Sequence, residues 1–192
     1  MLLLASCSTS PAKSSTSTST TRAKSTSTSQ AKASTTTTGP ASVSNCQPSQ
    51  LRIEVSGSGG AAGTIELTFS LTNITSASCT MQGYPGMLLL DASGVALPTT
   101  VVRGGSLSFE NIAATAVSLS PSETAYFNLG YSDVTAPCSM ASQVEITPPN
   151  DTGHAAVPVT SLQACNNGTL TVSPVFASSN AAATETTAPP LP

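Results

Sequence analysis

The sequence predicts an all-β domain, an antiparallel sandwich, set between two unstructured tails. Three observations carry this. Apolar and polar residues alternate with period two through much of residues 46–176, Gly, Pro and Asn turn signals separate the runs, and four cysteines lie among them. Alternation of this kind marks strands with one face in the core and one in water, because successive side chains point to opposite faces. No segment repeats its apolar residues at helical spacing.

In chain order, Leu51, Ile53 and Val55 alternate with Arg52 and Glu54, and Ile65, Leu67, Phe69 and Leu71 alternate with Glu66, Thr68, Ser70 and Thr72. Between them, Gly57-Ser58-Gly59-Gly60 reads as a hairpin loop in which glycine supplies positive φ. A phosphate loop would need a helix to follow, and a strand pattern follows instead. Met87 to Leu90 is continuously apolar, as expected of a more central strand. Ala125, Phe127 and Leu129 alternate with Tyr126 and Asn128, Val144 and Ile146 flank Glu145, and Leu170 and Val172 flank Thr171. Turns are expected at Ala92-Ser93-Gly94, Ser120-Pro121, Pro148 to Asp151 and Asn166-Asn167-Gly168. Regular short strands with such turns suggest an immunoglobulin-like β-sandwich, although a chain without Trp lacks the Cys…Trp…Cys signature of antibody domains.

Charged residues make up 8% of the chain, against about 25% in typical globular proteins, so the polar surface rests on hydroxyls and amides. With 4% aromatics the core is expected to be aliphatic, built of Leu, Ile, Val and Ala. The net charge of −3 hides an asymmetry: residues 1–45 carry Lys13, Arg22, Lys24 and Lys32 and no acid, whereas residues 46–192 set two arginines against nine acids, a balance of −7. An acidic domain repels phosphate backbones, which argues against a nucleic-acid partner.

Four segments follow. Residues 1–7 read as a truncated lipoprotein signal: Leu4-Ala5-Ser6-Cys7 matches a bacterial lipobox, with Cys7 as the lipidation site. Only three leucines precede Ala5, short of an apolar region of about 7–15 residues. Either translation starts upstream of Met1 or the match is coincidental, and the segment behind it favours the first. Residues 8–45 hold 23 Ser or Thr and nothing large and apolar except Val43. Such a segment buries too little surface to offset its ordering entropy and is expected to be a disordered stalk, spanning roughly 35 Å as a coil and about 120 Å extended. Its composition also fits O-glycosylation. Residues 46–176 form the β domain, and residues 177–192, ending Ala-Pro-Pro-Leu-Pro, a disordered tail.

An even set of domain cysteines in an exported chain favours two disulfides. One strand up (51–55) and one down (65–72) return Cys79 to the end that holds Cys46. A second up-and-down pair (143–147 and 155–159) returns Cys165 to the end that holds Cys138. Both local pairs, Cys46–Cys79 and Cys138–Cys165, are therefore feasible and are the expected connectivity, with a Cys46–Cys165 link as the alternative. Each closes a loop worth roughly 3 kcal/mol in the chain-entropy account. A zinc site is disfavoured, because there is no Cys-x-x-Cys pair and one His.

The set Cys46…Ala61-Ala62-Gly63…Leu71-Thr72-Asn73…Cys79-Thr80-Met81-Gln82-Gly83-Tyr84-Pro85-Gly86 resembles an actinobacterial family of secreted proteins and lipoproteins, described only as a domain of unknown function. Leu119-Ser120-Pro121, Tyr131-Ser132-Asp133-Val134, Cys138, Pro148-Pro149 and Cys165 continue the likeness over about 46–176. Where that family often has Pro-Gly, this chain has Pro121-Ser122. The resemblance implies an extracellular β-sandwich and no particular substrate or catalytic residue.

Candidate chemistry is sparse. Asp151-Thr152-Gly153 matches the aspartic-protease triplet, but that chemistry needs two carboxylates sharing a proton, and a turn is the expected reading. His154 is the lone imidazole, and without a Gly-x-Ser-x-Gly elbow no Ser-His-Asp set is marked out. Asp133, Glu145 and Asp151 follow no calcium-ligand spacing and read as surface acids. No catalytic residue, metal or cofactor is assigned. Tyr126 and Tyr131, expected to be exposed, form a candidate partner-contact patch. The favoured function is non-enzymatic: a lipid-anchored cell-envelope protein, tethered to the membrane through Cys7, that displays a binding module to another envelope protein. A carbohydrate or wall-polymer module is the alternative, poorly served by a chain without Trp, and an envelope hydrolase is a third.

Overall fold

A computed structural model describes residues 43–104 and 112–177. Cys7, the segment before Val43 and the tail after Ala177 lie outside the described residues. Among the described residues there are twelve strands: β1 Ser44–Asn45, β2 Leu51–Ala61, β3 Thr64–Asn73, β4 Cys79–Gln82, β5 Gly86–Leu90, β6 Thr100–Arg103, β7 Ala116–Leu119, β8 Thr124–Ser132, β9 Ser139–Thr147, β10 Ala155–Ala164, β11 Thr169–Val172 and β12 Phe176–Ala177. β1 begins at Ser44 and β12 ends at Ala177, so the strands reach slightly beyond residues 46–176 at both ends.

The strands form three open sheets, in the orders β1-β4-β7, β10-β9-β5 and β2-β3-β8-β11-β6, with β12 added to β8. Antiparallel pairing dominates, and the expectation of a wholly antiparallel domain is corrected at two places: β1 runs parallel to β4, and β6 parallel to β11. Parallel neighbours need long connections, and the partners in the second pair are far apart in sequence. Met87 to Leu90 is corrected from central to edge strand. Its outer side is nonetheless covered: Leu97 N donates to Leu89 O at 2.8 Å, and Leu89 N donates to Thr99 Oγ1 at 3.0 Å. This cover explains how an edge strand can be apolar throughout.

The three sheets share one core. Leu71 and Leu129 come from the largest sheet, Met81 and Leu119 from the smallest, and Leu89, Val144 and Ile146 from the third. At its centre Phe69 and Phe127 face each other across β3 and β8, with ring centroids 5.0 Å apart and planes within 4°. The core is therefore not purely aliphatic. Burying each such side chain contributes about 1.5–3 kcal/mol.

The β2–β3 hairpin corrects the expected glycine loop. Gly57, Ser58, Gly59 and Gly60 are strand residues, paired with Thr68, Leu67, Glu66 and Ile65 after a bulge between Val55 and Gly57. The turn is Ala62-Gly63, with φ of 53° and 79°. Positive φ at both central residues is the primed geometry whose twist matches the flanking strands. Glycine has low strand propensity and so reads as loop, but pairing with β3 imposes the extended conformation.

This hairpin also defines two ends. Leu51 pairs with Asn73 and Ala61 with Thr64, while Thr124 pairs with Thr72 and Ser132 with Thr64. The near end holds Cys46, Asn73, Thr124 and the chain's arrival through β1. The far end holds the Ala62-Gly63 turn and the segment after Ser132.

Candidate functional site

At the near end Cys46 is bonded to Cys79, and both residues are fully buried in the core. Asn73, also fully buried, satisfies its whole side chain. Its Nδ2 donates to Ala77 O at 2.8 Å and Leu119 O at 3.1 Å, and its Oδ1 accepts from Thr75 N at 3.0 Å and Thr75 Oγ1 at 2.8 Å. Asn45 Nδ2 donates to Asn150 O, and Asn150 Nδ2 to Gln82 O, both at 3.1 Å, so the arriving chain is tied to the Pro148–Asp151 turn. The residues of interest for proteolysis lie here. Asp151 Oδ1 accepts from Gly153 N at 2.6 Å, which makes Asp-Thr-Gly a self-capped turn. His154 Nε2 lies 3.5 Å from a Glu145 carboxylate oxygen at an exposed position. Exposed pairs of this kind contribute little.

The far end is built differently. Four segments meet: the Ala62-Gly63 turn, residues 133–138 with a cis Ala136–Pro137 bond, Pro98, and the turn Cys165–Gly168. Asp133 N donates to Gly63 O at 3.3 Å, Asn166 N to Thr135 O at 2.5 Å, Asn167 N to Pro137 O at 2.8 Å, and Ser139 Oγ to Pro98 O at 3.1 Å. Cys138 is bonded to Cys165 across this junction. The Cys165–Gly168 turn is left-handed over three residues, with φ of 52°, 58° and 70° at Asn166, Asn167 and Gly168. Asn tolerates that region better than most residues. Gly168 is required on a second count, because a Cβ there would overlap the Pro98 carbonyl.

Two clefts flank the turn. Asn166 borders one of about 180 Å³ with Thr64, Ser132, Thr169 and Thr171. Asn167 borders the other, about 340 Å³, with Leu97, Pro98, Pro137, Cys138 and Met140. The first is lined by hydroxyls, the second mainly by apolar groups. Val134 and Met140 stand out from this end, 71% and 56% exposed. Asp133 has a buried Oδ1 without a hydrogen-bond partner. Burial and, secondly, the Asp133 charge push the Tyr131 hydroxyl above its ordinary pKa.

The expected tyrosine patch is corrected. Tyr131 is 7% exposed and belongs to the core. It lies two residues beyond Leu129 in the same unbroken strand, so the alternation that buries Ala125, Phe127 and Leu129 buries it too. Tyr126 is on the opposite face, half-buried, its ring 6.2 Å from that of Phe176. The two cannot share a surface. Asp133 and Asp151 are also separated, by the nine residues of β9, or about 30 Å of strand. Among the described residues no group of three or more His, Cys, Asp or Glu could hold a metal ion. None of the left-handed Asn pair, the orphan carboxylate oxygen or the exposed Met140 was marked as a site residue by the sequence. The Asn-Asn-Gly triplet was the one available signal.

Fold and site together define a disulfide-bonded all-β domain whose one end is hydrogen-bonded shut and whose other end is a cleft-bearing cluster of loops. Residues 46–176 match the family described as Domain of unknown function (DUF4232), and the chain belongs to that family. No curated protein and no solved structure matches the chain. Two disulfides indicate an oxidising, extracellular setting. Among the described residues no helix is long and apolar enough to cross a membrane.

Proposed function

We propose that this chain is a lipid-anchored envelope protein that displays a non-enzymatic binding module, and that the far-end loops make the contact. The observation that carries the reading is the placement of the loop cluster. It lies the length of β9 from the point where the chain arrives at Ser44 and Asn45. A tether attached at one end leaves the opposite end facing outward, and loops on a rigid scaffold are the usual carriers of recognition. Val134 and Met140 supply exposed apolar contact at that end. We read the three sheets around one core as an immunoglobulin-like sandwich serving as that scaffold. The anchor is Cys7, on the Leu-Ala-Ser-Cys match, and the 8–45 segment is the stalk. The setting we infer is an actinobacterial envelope, on the motif resemblance. The partner is another envelope protein, since the described surface offers no platform of exposed aromatic rings for sugars.

Photo-crosslinking in living cells tests this. A crosslinker at Val134 or Met140 should capture a specific protein, and one at Ile74, exposed at the near end, should not. Capture from Ile74 alone, or retention on purified wall glycan without any protein adduct, would overturn the assignment. Mass spectrometry of the mature N-terminus should find a diacylglyceryl group on Cys7, and unmodified protein in the cytosol would remove the anchor.

A further inference from the structure

We infer that the Cys138–Cys165 bridge is a thiol–disulfide exchange site, which receives the thiolate of a dithiol at the Cys138 sulfur from the cleft between Leu97 and Met140. The two bridges of this domain span similar separations, 33 and 27 residues, so loop entropy does not distinguish them. Access does. Cys46, Cys79 and Cys165 are fully buried, whereas Cys138 is exposed. Exchange begins with a thiolate approaching a sulfur, so access selects both the bridge and the sulfur attacked. Cys138 borders the cleft of about 340 Å³, whose walls include Leu97, Pro98, Pro137 and Met140. At about 30 Å³ per water molecule that space admits a cysteine side chain or a small dithiol.

The leaving sulfur is also provided for. Gln163 Nε2 donates to Cys165 Sγ at 3.6 Å. In the first step the incoming sulfur bonds to Cys138 Sγ. The Cys138–Cys165 bond breaks, and its electron pair stays on Cys165 as a thiolate that the Gln163 amide meets. The dithiol's second thiolate then attacks its own first sulfur in the mixed disulfide and expels Cys138. The dithiol leaves as a disulfide, oxidised by two electrons. The bridge is reduced by two, and the dithiol's two protons end on Cys138 and Cys165. The reaction is stoichiometric and needs no further oxidant or reductant. The bridge is not the sole tie at this junction, because Asn166 N donates to Thr135 O and Asn167 N to Pro137 O. The near bridge has no such route. It reacts only from opened molecules, a fraction on the order of 10⁻³ or less in a stable domain.

The test uses the full chain under native conditions. Dithiothreitol is added, the reaction is quenched by alkylation at intervals, and each cysteine is followed by peptide mapping. Labelling of Cys138 and Cys165 should outpace that of Cys46 and Cys79 by more than about tenfold, given the opening cost of the buried bridge. A smaller ratio overturns the proposal. With reduced glutathione and an acid quench, the mixed disulfide should sit on Cys138, and an adduct on Cys165 overturns the direction of attack. Gln163→Leu should slow reduction of the far bridge by about two- to tenfold, the range expected for losing one ordinary hydrogen bond. An unchanged rate overturns the leaving-group assignment. These readouts concern bond exchange alone, so they stand or fall apart from partner capture.

Discussion

The two ends of this domain each carry a disulfide over nearly the same loop length, yet they are finished in opposite ways. At the near end both cysteines are buried and the neighbouring amide of Asn73 makes four hydrogen bonds. At the far end one cysteine is exposed, three consecutive residues are left-handed, and a buried oxygen of Asp133 has no partner. Satisfied polar groups and buried cross-links hold a structure in one state, whereas unsatisfied groups and open clefts persist where the surrounding fold over-determines them. A cross-link's contribution is therefore set by its surroundings as much as by its loop.

The sharpest way to break the comparison is to delete each bridge in turn. Loop entropy assigns the same roughly 3–4 kcal/mol to either. Cys46→Ala with Cys79→Ala also empties core volume, and should cost about 1–2 kcal/mol more than Cys138→Ala with Cys165→Ala. Urea unfolding of both variants measures the difference, and equal losses would refute the distinction. Next in size is Asn73→Ala. It removes the amide that pairs with the buried Leu119 carbonyl, the Ala77 carbonyl, and the Thr75 N–H and hydroxyl, and a loss of about 2–4 kcal/mol is expected by the same assay.

Asp133→Asn should act in the opposite sense, raising stability by about 0.5–1 kcal/mol, because it removes a charge from a carboxyl with one buried, unpaired oxygen. It should also lower the Tyr131 pKa, seen by ultraviolet titration of the tyrosines. With the folded value raised above 10.0, the folded chain keeps the Tyr131 proton longer than the unfolded chain does. Stability is then intact below about pH 10 and falls as pH rises through the folded value, and Tyr131→Phe should flatten that fall. An effect of similar size is expected for Ser122→Gly. Ser122 has φ of 67° directly after Pro121, a turn position that favours glycine, and the change should add about 0.5–1 kcal/mol in thermal unfolding.

Long strands with one wet face were legible in the sequence. The alternation in β3 and β8 sets which face of each is buried, but not which strand each pairs with. The short strands β4, β6 and β7 were not, because four residues carry too little periodicity to separate strand from loop. Tyr131 departs from expectation for a related reason: its place at the strand end suggests surface, while its place in the period puts it in the core. Asn166-Asn167-Gly168 was readable as a turn. Its handedness and the clefts beside it depend on Pro98 and residues 133–138, which are distant in sequence. A site assembled from four separate segments leaves no local pattern.

The near end has a mechanical consequence. Tension arriving along the chain at Val43 first meets β1, whose parallel register sets Ser44 beside Cys79 and Asn45 beside Thr80. A pull along the strand axis loads those hydrogen bonds together, in shear, rather than peeling them one at a time. Once they yield, the force reaches Cys46 and crosses directly to Cys79 through a covalent bond. The β2–β3 hairpin lies wholly inside that loop and is bypassed, so it adds no length under load. A domain pulled from its N-terminal side is thus gripped at β4 and β7, and the covalent path bypasses the hairpin that shapes the far end.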